Sequence, residues 1–224
     1  MQRRKSRLMH RNEITGRTGG PHILYTTAWK AMHCAAALAL LAACGTSRGD
    51  EPDVVASDQA RHPIVAALKP SGFFAQFGVA NEVTAGTAGF IWTLGRDSAR
   101  QPWSVYLEAS ASRWQSRSGY ASDHGVLTQV ALIPVLRYRF DKGSSPWFVE
   151  GGVGATVTSS IYRNTDKHFS TAFNFGDHLG VGYTFGSARN DEIALRAEHF
   201  SNASIKHPNP GQNFLELRYT HHFR

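Results

Sequence analysis

Cysteine is almost absent from the 224 residues: there are two, Cys34 and Cys44, both near the N-terminal end. Whatever follows Cys44 has no disulfide to hold it, so an exported fold must be secured by another device, such as a sheet closed on itself. Long apolar runs are missing too. The one candidate, residues 31–44 (AMHCAAALALLAAC), falls short of the ~20 residues that a bilayer-spanning helix needs. No helical period stands out beyond it, and there is no metal-ligand spacing, phosphate loop or cofactor motif, so neither metal nor cofactor is expected. The net charge of +7 first suggests nucleic acid, but the surplus is confined to residues 1–49, where eight Lys and Arg face the single acid Glu13. The remainder carries sixteen charges of each sign, which removes the argument for a nucleic-acid partner.

What is present begins with a leader. A basic segment followed by a short run of small apolar residues is the pattern of a secretory signal, and residues 1–49 are read as one. The Leu41-Ala42-Ala43-Cys44 ending resembles a lipoprotein cleavage box, which would leave Cys44 lipidated; ordinary cleavage nearby is the alternative. The basic lead-in is longer than a signal needs, which points to initiation further along the chain. Residues 50–72 are polar with scattered apolar residues, and are taken as a linker or periplasmic lead-in before a barrel over 73–224.

That barrel rests on a period of two. Phe73–Ala80, Thr84–Leu94, Trp103–Trp114, Val126–Phe140, Trp147–Thr158, Ser170–Phe185, Asp191–Asn202 and Asn213–Phe223 each alternate, which makes eight strands. Their faces are unequal. Leu132, Pro134, Leu136 and Tyr138 share one face of the fourth strand, against Gln129, Arg137 and Arg139; Leu215, Leu217 and Tyr219 oppose Glu216, Arg218 and Thr220 in the last. Aromatics gather at strand ends (Trp92, Trp103, Tyr138, Phe140, Trp147, Tyr183, Phe185, Phe223), as interfacial girdles require. The polar face mixes both signs, Glu108, Arg137, Arg139, Glu150, Arg196, Glu198, Glu216 and Arg218, which suits a narrow interior filled by paired side chains. The expected fold is all-β: an eight-stranded antiparallel up-and-down transmembrane β-barrel with lipid outside. A secreted soluble barrel of lipocalin type is the alternative. With both termini in the periplasm, the end of the seventh strand and the loop after it lie at the outer leaflet.

Chemistry concentrates in that loop, Glu198–Asn213, EHFSNASIKHPNPGQN. His199 and Ser201 share the parity of Ile193, Leu195 and Ala197, the face read as lipid-facing, while Glu198 and Arg196 face inward. Polar groups in hydrocarbon are penalised unless partnered. Two residues apart on a strand, both point the same way, and an imidazole beside a hydroxyl can make a serine nucleophilic. Polar tips resting harmlessly at headgroup level are the plainer account of the same pair. Asp177 and His178 form a weaker acid–base candidate, for which interior hydrogen bonding is expected, and His221 and His222 are read as interfacial.

His199-Phe200-Ser201-Asn202-Ala203, with Lys206, Pro208-Asn209 and Gly211, resembles the signature of the PagL-type lipid A 3-O-deacylase family, outer-membrane esterases built on an eight-stranded barrel. The resemblance implies hydrolysis of the ester holding the acyl chain at position 3 of lipid A, in the outer membrane of a Gram-negative cell. It makes Ser201 the nucleophile and His199 the general base, with Asn209 and Asn202 helping to bind the oxyanion. One departure stands out. The family orients its histidine with a Glu shortly after the conserved glycine, where this chain has Gln212 and Asn213. Asn213 has the outward parity and is the expected partner of His199, with Gln212 the alternative. A non-catalytic small barrel acting as an adhesin or structural protein, and an esterase acting on phospholipid, are the competing functions.

Overall fold

The computed structural model describes residues 69–94, 101–117 and 125–223. The leader, the Cys44 box and most of the linker lie outside them. Eight strands follow in order: β1 Gly72–Ala80, β2 Val83–Leu94, β3 Trp103–Ser116, β4 Val126–Arg139, β5 Trp147–Thr158, β6 Phe173–Phe185, β7 Asp191–Ser201 and β8 Gln212–His222. Each pairs antiparallel with its neighbour in sequence, and β8 closes on β1 from Gly72↔His222 to Val79↔Leu215, so the sheet has no edge. Closure is the device that the missing disulfides called for.

The distribution of side chains is inside-out. Leu217 is 56 % exposed and Val130 55 %, whereas Arg196 and Arg218 are each 1 % exposed. An apolar exterior around a charged interior is stable when the surrounding solvent is itself apolar, which separates this barrel from a soluble one of the same strand number. Inside, the charges interlock. Arg196 reaches Glu108 at 2.8 Å and, through Nε, Glu150 at 2.8 Å; Arg137 bridges Glu150 at 2.8 Å and Glu192 at 2.9 Å; Arg218 pairs with Glu108 at 2.7 Å. Tyr106 donates to Glu150 at 2.7 Å, and Gln76 donates to Glu216 at 2.7 Å and Glu198 at 3.3 Å. Each buried charge thereby has an opposite charge or a dipole beside it, the condition for keeping it out of water.

Two apolar layers complete the interior. Phe74, Ile91, Tyr106, Ile133 and Val135 form one cluster. The other, at the end of the barrel carrying the β7–β8 loop, is Val83, Ala85, Trp114, Leu127, Tyr162, Phe169, Phe200 and Phe214. Trp114 is its hub, with ring centroids 4.8 Å from Phe214, 5.0 Å from Phe200 and 5.4 Å from Tyr162. Aromatic pairs on the outer surface near the opposite end, Trp103–Tyr138 at 4.8 Å and Trp147–Tyr183 at 5.0 Å, form the belt expected of an interface.

The strands differ from the sequence reading most at the start of β6, expected at Ser170 and found at Phe173. Residues 170–172 stand before the strand, where Ser170 Oγ donates to the Lys206 carbonyl and Asn202 Nδ2 donates to the Ser170 and Thr171 hydroxyls. They are anchors for a neighbouring loop.

Candidate active site on the outer face

The β7–β8 register places His199 opposite Asn213 and Phe200 opposite Gln212. Side chains alternate across a strand, so one residue of difference decides the face. Asn213 is exposed on the outside with Leu215 and Leu217, while Gln212 is fully buried in the interior. Of the two candidates, it is Asn213 that meets the histidine: its Oδ1 lies 2.5 Å from His199 Nδ1. An amide oxygen accepts, so His199 carries its proton on Nδ1 and Nε2 is the unprotonated ring nitrogen. Ser201 is half-buried on the same face, two positions along β7 and opposite Phe175 of β6.

The loop 202–211 is held from several sides. Asn202 is buried; its backbone N–H donates to Asn209 Oδ1 at 3.0 Å, and its Nδ2 donates to the Lys206 carbonyl at 2.8 Å and to Ser170 and Thr171. The Asn202 amide is thus an anchor inside the loop. Asn209 is the complement: with Oδ1 fixed, its Nδ2 is the end left to donate elsewhere. Ala203 and Ser204 take left-handed backbone angles, φ +52° and +64°, which reverse the chain immediately after the strand.

The β5–β6 loop braces this arrangement. Asn164 Oδ1 accepts from the Asp166 and Lys167 backbone N–H groups at 2.9 and 2.6 Å, an Asx-type turn that tips a small hairpin. Tyr162 and Phe169 drop from its two arms into the Trp114 cluster, and burial pushes the Tyr162 phenol up to about 12. The tip presents Lys167 Nζ to the Gly211 carbonyl at 2.7 Å, with burial drawing that ammonium below its ordinary pKa. No periodicity announced this brace. The asparagine turn and the two aromatics were its only signals in the sequence.

Gly211 is where the brace meets the imidazole. Its φ is +66°, and a Cβ there would stand 2.5 Å from His199 Cε1 and 3.2 Å from Nε2. Alanine would be strained in backbone and would push the ring off Asn213. Since ~1 Å of misplacement can cost about 10²-fold in rate, Gly211→Ala is expected to lower kcat by about that factor. Steady-state kinetics on a variant that still shows the gel shift of a folded barrel would check it.

The other histidines on the strands divide as parity requires. His178 is buried inside, where neither ring nitrogen has a hydrogen-bond partner in the protein, while Asp177 lies half-buried on the outer face, so the two do not share the interior. His221 Nδ1 lies 2.8 Å from Asp191 and stacks near Phe73 at 5.7 Å, and His222 reaches Glu192 at 3.1 Å. Among the described residues, no group of three or more His, Cys, Asp or Glu could hold a metal ion.

The fold and its polar outer cluster define a small transmembrane β-barrel with a His, a Ser and an Asn on the surface that lipid would cover. Comparison with known proteins narrows this. The family model for lipid A 3-O-deacylase (PagL) matches residues 83–222. The lipid A deacylase PagL of Bordetella bronchiseptica is 39 % identical over 116 residues, 52 % of this chain and 61 % of the relative. That of Pseudomonas aeruginosa is 32 % identical over 114 residues, 51 % of this chain and 62 % of the relative. The chain thus spans about three-fifths of the length of these curated relatives. The crystal structure of the outer membrane enzyme PagL superimposes with a TM-score of 0.57 at 24 % identity, covering 68 % of this chain and 99 % of that one, a likeness of fold. The chain belongs to the PagL lipid A 3-O-deacylase family.

Proposed function

We propose that the protein is an outer-membrane lipid A 3-O-deacylase. The observation that carries this is the outer-face row of His199 and Ser201 beneath a braced loop, in a member of that family. With both termini in the periplasm, the site opens at the outer leaflet, where a lipid ester can reach it without leaving the membrane. His199 Nε2 takes the proton of Ser201 Oγ as the oxygen attacks the ester carbonyl at position 3; the tetrahedral intermediate then expels the sugar oxygen, which receives that proton. Water, deprotonated by the same imidazole, releases the hydroxy fatty acid and restores Ser201. Asn209 Nδ2, aimed by the Asn202 N–H on its oxygen, is the side-chain donor for the oxyanion. Asn202 serves by holding Asn209 and the loop.

Purified protein in detergent, given lipopolysaccharide, should release 3-hydroxy fatty acid detectable by gas chromatography, and give none from phospholipid vesicles. Release from phospholipid alone would move the substrate, and release from neither would leave a non-catalytic barrel.

Asn213 holds the histidine tautomer without contributing negative charge. Asn213→Glu adds that charge on the same face and is expected to raise kcat about tenfold, since a carboxylate stabilises the imidazolium better than an amide. Gln212→Glu, one residue away and buried, should give no gain and should destabilise the barrel. Parallel turnover measurements on the two variants distinguish the faces.

A further inference from the structure

A carboxylate stands across the sheet from Asn213 on the same face. Asp177 of β6 stands directly opposite His199 in the β6–β7 register, on the far side of the histidine from Asn213, so that Asp177, His199 and Asn213 form one row across three strands. Directly opposed residues on one face of an antiparallel pair have Cβ atoms about 4.5–5.5 Å apart, within reach of a carboxylate and an imidazole. Apart from the Ser201 hydroxyl, which lies diagonally across on β7, the rest of the Asp177 surroundings on that face is apolar. Phe175 and Leu179 flank it along β6, and Val153 faces it from β5. The acids Glu198 and Glu216, with His178, lie on the interior face behind the sheet, and Lys167 is engaged with the Gly211 carbonyl. An acid on a lipid-facing surface pairs with another polar or titratable group, and His199 is the titratable side chain the row puts beside it.

We propose that the role of the triad acid is divided in this protein, with Asn213 supplying the hydrogen bond that fixes the His199 tautomer and Asp177 supplying the negative charge that stabilises its imidazolium. This rests on the deacylase reading above. Asp177 takes no proton: when His199 Nε2 accepts the proton from Ser201, the positive charge that forms lies between a neutral amide on β8 and a carboxylate on β6. Asp177 acts through His199, so it is a positioning and charge-supplying residue that never contacts the substrate.

The test is the pH dependence of kcat/KM for lipopolysaccharide, for wild type, Asp177→Asn, Asn213→Glu and the double variant, with Ser201→Ala as the inactive reference. A neighbouring carboxylate raises an imidazole pKa, so its removal lowers it. The base works when neutral, and the acid limb of the profile should therefore move to lower pH by about one unit in Asp177→Asn. On the plateau kcat should fall about 30-fold with KM within twofold, because the lost interaction exists only once the proton has moved. Asn213→Glu should restore most of that loss in the double variant, a gain larger than it gives to wild type. A purely structural role would lower the amount of folded barrel and would neither shift the limb nor be rescued from β8. Wild-type activity with an unshifted limb, or a loss in Asp177→Asn that Asn213→Glu leaves untouched, would overturn the inference. A wild type as inactive as Ser201→Ala would instead overturn the deacylase reading on which it rests.

Discussion

Ser201→Ala is expected to lower kcat by about 10³- to 10⁶-fold while leaving KM within twofold and the barrel intact, the range seen when a nucleophile that acts as a unit with its base is removed. Ser201 lies on the outer face, half-buried, and takes no part in the interior network that holds the strands. Loss of one hydroxyl there should change neither the heat-dependent gel mobility nor the resistance to urea. The size of the loss separates two accounts of the residue. A hydroxyl resting at headgroup level would cost nothing in turnover, and a hydroxyl that merely helps to bind substrate would raise KM. Adding His199→Ala to Ser201→Ala should produce little further loss, because base and nucleophile do one job.

The largest stability effect belongs to the interior. Arg196 is the crossing point of the charge network, donating to Glu108 at 2.8 Å, Glu150 at 2.8 Å and the Tyr106 hydroxyl at 3.1 Å. Arg196→Met keeps much of the volume and leaves two buried carboxylates with one guanidinium each, Arg218 for Glu108 and Arg137 for Glu150. Removing one partner from a buried ionic group typically destabilises by about 3–5 kcal/mol. The surviving pairs place this variant near the lower end, about 3 kcal/mol. Urea unfolding in lipid vesicles, followed by tryptophan fluorescence, would measure it. The lipid-facing Leu217→Ala is the contrast, expected to stay within about 1 kcal/mol, because the outer face packs against fluid chains and leaves no fixed cavity. Equal losses in the two variants would contradict an interior held by charge.

The strands were legible because a barrel wall has one face in lipid and one in a filled interior, so a period of two runs along each of the eight strands. The same parity put His199, Ser201 and Asn213 on one face before any coordinates. It could also have placed Asp177, which shares the outward parity of Phe175, Leu179 and Val181. Its neighbour His178 drew attention to an acid–base pair that strand geometry divides between two faces. Parity says which face a residue takes, but the residue opposite it depends on register, and register is fixed by loop lengths and turn geometry. That is why the place of Asp177 beside the expected pair of His199 and Asn213 emerged only with the fold. The brace from Asn164 to Lys167 and the inward-turned Tyr162 and Phe169 belong to an irregular loop, where no period operates and the anchors are single side chains. Asn202 shows the same limit. The family resemblance implied an oxyanion role for it, and its hydrogen bonds to Ser170, Thr171 and Lys206, which only the fold reveals, tie its side-chain amide into the loop.

The central claim is that an imidazole and a hydroxyl on the lipid-facing side of β7 hydrolyse a lipid ester, and mass spectrometry of lipid A tests it most directly. Lipopolysaccharide incubated with the wild type should yield lipid A lighter by the one hydroxyacyl chain at position 3, and the Ser201→Ala sample should keep its full mass. Lipid A that retains its 3-linked chain with the folded wild type, under conditions where a control deacylase removes it, would contradict the account.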